Sequence, residues 1–73
     1  MTPLTHEQRR DVCAAACRIE IRSVGQSKGR TMWYWAAHSP DGMLRDGLTD
    51  DVAEAAVLAK YALFDYVDAV TAE

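Results

Sequence analysis

Few side chains in this sequence are of types that do chemistry, and their spacing argues against most of what they could do. His6 and His38 are the two histidines. Neither stands in a Ser/His/Asp order, an HExxH run or a glycine-rich loop after a strand. Asp50 and Asp51 are adjacent carboxylates, but neighbours on a helix point about 100° apart. They read as first-turn partners of a helix dipole rather than as an acid/base pair. Cys13 and Cys17 at helical i, i+4 spacing would hold their Cβ atoms about 5–6 Å apart, beyond the ~3.5–4.5 Å of a disulfide, so both are expected reduced. That spacing would let both face one zinc, with His6 or His38 completing it. No second CxxC or HxxxH supports a metal, and free cysteines also serve as small core residues. The expectation is a protein that is not an enzyme and carries no cofactor or metal.

Charge is more informative. The net charge of −3 divides unevenly. Residues 1–45 carry +3, with Arg9, Arg10, Arg18, Arg22, Lys28, Arg30 and Arg45 against Glu7, Asp11, Glu20 and Asp41. Residues 46–73 carry −6, with Lys60 alone against Asp46, Asp50, Asp51, Glu54, Asp65, Asp68 and Glu73. Such a split bears on partners and on steering, not on fold.

The elements that position these charges follow from periodicity. The 73 residues make one domain, 1–73, with a thin core. Apolar residues are 49% of the chain, which points to a globular protein. No apolar run reaches the ~18 residues of a membrane helix, and the start is polar, so a cytoplasmic protein is expected. Thr5 with Gln8 forms a capping-box signature and opens a helix over 5–17, with Val12, Ala15 and Ala16 on its inner face. Arg18-Ile19-Glu20-Ile21-Arg22 alternates strictly and predicts a strand with Ile19 and Ile21 inward. Residues 24–30 read as a mobile hairpin loop. Thr31 to His38 predicts a second strand, with Trp33 and Trp35 inward and Met32 and Tyr34 beside Arg18, Glu20 and Arg22 on the other face. Ser39-Pro40-Asp41-Gly42 is a turn, and Met43 to Asp46 a short third strand. Gly47 and Leu48 lead into a helix from 50 to about 71, with Thr49 as N-cap and Val52, Ala56, Ala59, Leu63, Tyr66 and Val70 as its inner stripe. The fold class is α+β, in the order α-β-β-β-α, with a three-stranded antiparallel sheet and both helices on one face. The expected core is Trp33, Trp35, Ile19, Ile21, Val52, Ala59, Leu63 and Val70.

Two surfaces are candidates for binding. Val57, Tyr61 and Phe64 fall away from the inner stripe of the last helix, among Asp50, Asp51, Glu54, Asp65 and Asp68. The first helix would cover this flank, or a two-fold homodimer would, or a partner protein would dock there on its acidic and aromatic side chains. The alternative surface is the sheet face with Arg18, Arg22 and Tyr34, extended by Lys28 and Arg30, which could hold a nucleic acid by charge and stacking.

The α-β-β-β-α order resembles that of double-stranded-RNA-binding domains, whose second helix begins with phosphate-binding lysines. Asp50, Asp51 and Glu54 stand there in this chain and would repel a phosphate backbone. The segment from Tyr34 to Val67, strand–Pro-Asp-Gly turn–strand–acidic-capped helix, resembles the core of HicB-type antitoxins. In size, acidity and compact form the chain is similar to small phage-encoded inhibitors such as anti-CRISPR proteins. That resemblance implies a non-enzymatic inhibitor in the bacterial cytoplasm that blocks a basic, nucleic-acid-handling protein such as a CRISPR effector complex. The residues expected to carry this are Asp50, Asp51, Glu54, Tyr61, Phe64, Asp65 and Asp68. The alternative is a nucleic-acid-binding or antitoxin module using the sheet face.

Overall fold

The computed structural model describes residues 2–72; Glu73, counted above among the acids, lies outside them. The chain runs α1 (His6–Ala16), β1 (Arg18–Ser27), β2 (Arg30–Ser39), β3 (Gly42–Thr49) and α2 (Val52–Thr71). The strands form one antiparallel sheet in the order β1-β2-β3. The α+β class and the α-β-β-β-α order are as the periodicities predict.

Thr5 caps α1: its hydroxyl accepts from the Gln8 amide while the Gln8 side chain accepts from the Thr5 amide. The inner face of α1 differs from the expected one. Val12, Ala15 and Ala16 are exposed, and Cys13, Ala14 and Cys17 pack against the core instead. Both sides of this helix are apolar in its second half, so its own periodicity could not choose between them. α1 packs chiefly against α2, and Arg10 forms an ion pair with Asp68. No α1 residue is buried.

The expected loop over 24–30 is mostly strand. β1 and β2 stay paired out to Ser27 and Arg30, through a bulge between Ser23 and Gly25. Only Lys28 and Gly29 form the turn, with φ of 54° and 77°. Two successive positive φ values match the right-handed twist of a two-residue hairpin. β3 pairs with β2 only from Trp33 to Ser39, so the tip of the β1–β2 hairpin extends past the third strand as a two-stranded arm. At the other hairpin, the Ser39 hydroxyl accepts from the Asp41 amide, and Gly42 has φ 137°, which disfavours a side chain.

The strand register is the expected one: Trp35 is buried and Trp33 half-buried on the helix side, with Tyr34 on the other. β3 is longer than expected, because Gly47 and Leu48 belong to it rather than leading into the helix. Gly47 lies opposite Trp35, and the indole crosses it so closely that a Cβ there would sit 2.8 Å from Nε1. Glycine is what lets the tryptophan lie flat in a thin core. Asp51, not Thr49, caps α2, accepting from the Ala53 and Glu54 amides. Thr49 ends β3, buried, and its hydroxyl accepts from the Asp51 amide.

The core is Trp35, Ala37, Ala55, Ala59, Ala62, Leu63 and Val67. Three of the expected core positions are exposed: Ile19, Val52 and Val70. Val52 and Val70 have the right azimuth on α2 but sit in its first and last turns, at the margins of the sheet. Ile19 lies on the edge strand. The molecule measures 56 × 18 × 15 Å, with a radius of gyration of 14.9 Å. A compact chain of this length has about 11 Å.

Candidate functional site

α2 is a 20-residue helix, about 30 Å long. Its alanines let the backbone approach the sheet, and Ala55, Ala59, Ala62, Leu63, Val67 and Thr71 form the buried side. The opposite side is where the expected partner-binding residues stand. Val57, Tyr61 and Phe64 follow one another at helical spacings of four and three, and they are 46%, 64% and 45% exposed. Exposed Glu54 precedes this row and exposed Asp68 follows it, while Asp65 and Lys60 lie beside it. α1 does not cover the row, although it packs on α2.

The seven named residues do not share one role. Asp50 lies ahead of the helix and accepts from Arg30 at 2.7 Å. This hydrogen bond holds its carboxyl below the ordinary value of 3.8. Asp51 is occupied as the cap, and Asp68 is tied to Arg10. Among the described residues, Glu54 and Asp65 have no ion-pair partner. The site the structure brings together is therefore Glu54, Val57, Tyr61, Phe64 and Asp65, with Asp68 at its far end. Asp50 and Asp51 do structural work at the near end.

The alternative face is less basic than its arginines imply. Arg22 Nε donates to Glu20 at 3.0 Å, and its guanidinium lies 4.9 Å above the Tyr34 ring. The Tyr34 hydroxyl donates to Asp46 at 3.1 Å. Desolvation first, and then this hydrogen bond, raise the phenol above its ordinary pKa. His38 Nε2 lies 3.2 Å from the second Glu20 oxygen. Arg18 stands at the end of the same face, opposite His38. Lys28 is in the hairpin turn, and Arg30 turns to Asp50. Of the five residues named for this surface, only Arg18, Arg22 and Tyr34 share it, and two carboxylates lie among them.

Leu48 and Met43 also belong to this face, opposite Tyr34 and His38, and both are exposed. Sequence reasoning missed Leu48 because the third strand was ended at Asp46. Its alternation with Gly47 and Thr49 was the available signal.

Chemically the arrangement offers contact surfaces. The His38–Glu20 pair lies on an open sheet face. Burial first, and then the Cys13 thiol four residues away, raise the Cys17 thiol above its ordinary pKa, which keeps it a weak nucleophile. Cys17 Sγ instead donates to the Cys13 carbonyl at 3.3 Å. Among the described residues no cluster of histidine, cysteine and carboxylate side chains has metal-binding geometry, and no helix is long and apolar enough to cross a membrane. Comparison with protein families, with curated proteins and with solved structures finds no match to this chain.

Proposed function

We propose that this protein is a non-enzymatic protein-binding inhibitor, and that the outward face of α2 docks on a basic, nucleic-acid-handling surface of its target. The observation that carries this reading is the uncovered row Val57, Tyr61 and Phe64 on α2, set among Glu54, Asp65 and Asp68. Interface hot spots are enriched in aromatic side chains that become fully desolvated. Carboxylates around them speed encounter with a cationic surface and disfavour other partners. The −6 charge of residues 46–73 acts in the same sense. The resemblance in size and charge to phage-encoded inhibitors of the anti-CRISPR kind agrees with such a target.

The nucleic-acid reading of the sheet face is weaker. Glu20 pairs with Arg22, and Asp46 adds a second carboxylate on Tyr34; phosphate attraction depends on uncompensated cations. The test is affinity capture from bacterial lysate with the wild-type chain and with Tyr61→Ala. The reading expects a basic protein that is retained after nuclease treatment and lost with the variant. It also expects no retention of the chain on heparin at physiological salt. Salt-sensitive retention on heparin, with capture abolished by nuclease, would move the function to the sheet face.

A further inference from the structure

We infer that the free edge of β1 pairs with β1 of a second copy, joining two sheets into one continuous antiparallel sheet. β1 is ten residues long and has β2 on one side only. An edge strand presents unpaired backbone donors and acceptors that template a further strand. On its inner face Ile19 is 37% exposed and Ile21 half-buried, since α2 lies mainly over β2 and β3. On its outer face Glu20 and Arg22 are both solvent-accessible.

The side-chain order selects a register. In an antiparallel pair, residues directly opposite lie on the same face, and like charges placed opposite are destabilising. A two-fold axis at Ile21 sets Glu20 of each copy against Arg22 of the other, Ile21 against Ile21, and Ile19 against Ser23. An axis at Glu20 would set Arg18 against Arg22 and Glu20 against Glu20, which repels twice over. An axis at Ile19 also matches charge, but it runs off the strand at Cys17. The bulge after Ser23 ends the pairing on the other side.

The corresponding dimer through α2 is disfavoured. A two-fold axis at Tyr61 would bring Glu54 of one copy toward Asp68 of the other. The edge dimer leaves the α2 row open. Its axis stands perpendicular to the sheet, so both α2 helices lie on the same side and present two docking faces to one target. The inference does not depend on the inhibitory reading.

Sedimentation equilibrium of the full chain at tens of micromolar, with far-UV circular dichroism as a fold check, tests it. The wild type is expected at the mass of a dimer. Glu20→Arg and Arg22→Glu, each of which sets like charges opposite one another, are each expected at the mass of one chain. The double variant Glu20→Arg/Arg22→Glu is expected to regain the dimer. Should a single variant fail to fold, amide exchange of the wild type still decides: protection over Ile19 to Ser23 rises with protein concentration if the edge pairs. A wild type at single-chain mass, a dimer indifferent to both single variants, concentration-independent exchange at this edge, or a dimer lost only in Tyr61→Ser would each overturn the inference.

Discussion

Gly47 and Trp35 carry the most sensitive contact in the fold. A methyl group at position 47 would lie 2.8–2.9 Å from the indole, and neither the sheet backbone nor the ring can yield cheaply. Gly47→Ala is therefore expected to lower stability by about 1–3 kcal/mol, as overpacking does, measured by urea denaturation followed by tryptophan fluorescence. Trp35→Ala has the opposite defect, an emptied core site, and is expected to cost about 3–5 kcal/mol. In a domain this small that is most of its stability. Tyr61→Ala should leave the denaturation midpoint within error, because the ring is 64% exposed. It should shorten the lifetime of the complex with the target, since desolvated anchors govern dissociation. A midpoint that falls with Tyr61→Ala would mean the ring supports the fold rather than binding.

At the scale of elements, the acids of α2 divide by their neighbours. Asp65 is expected to act on association alone: Asp65→Lys should slow binding and flatten its salt dependence while stability stays unchanged. Asp68→Lys should do the same and also release α1, because it sets a cation against Arg10. α1 is an 11-residue helix with no buried residue, too short to persist alone in water. Faster amide exchange over His6 to Ala16 in Asp68→Lys, but not in Asp65→Lys, is the expected signature. Arg30 and Asp50 tie the β1–β2 hairpin to the start of α2. The folded-state pKa of Asp50 lies below its ordinary value. The stability it contributes is therefore fully present above about pH 4 and lost as the pH falls through the folded-state pKa. The pair is exposed, so the effect is small. Comparison of thermal midpoints between pH 6 and pH 2 should show that Asp50→Asn has a shallower acid limb than the wild type.

For the whole molecule, shape and composition point the same way. The 14.9 Å radius of gyration exceeds the compact value by several ångströms. Exposed large apolar side chains occur on every element except the central strand β2: Val12 on α1, Val24 on β1, Met43 and Leu48 on β3, and Tyr61 and Phe64 on α2. A thin, long domain cannot bury them itself, since its interior is filled mainly by alanine and one tryptophan. Surfaces of this kind gain stability when covered. The thermal midpoint is therefore expected to rise with protein concentration if β1 pairs between copies.

What the sequence alone determined was element type and order, because these depend on local periodicity. The alternation of Arg18 to Arg22, the Thr5 capping box and the long apolar stripe ending near Thr71 each identify their element. So does the inward placement of Trp35 and Ala59. The outward row of Val57, Tyr61 and Phe64 was legible for the same reason, as its azimuth follows from the helical repeat. Tertiary structure decided the rest. α1 has two apolar sides, and only the position of α2 chose Cys13 and Cys17 over Val12 and Ala15. Val52 and Val70 have core azimuths but overhang the sheet, and burial depends on what lies opposite. Asp50, Asp51 and Asp68 look alike in sequence. Only their neighbours in space made one an ion-pair partner of the hairpin, one a cap and one the anchor of α1, while Glu54 and Asp65 have no ion-pair partner among the described residues.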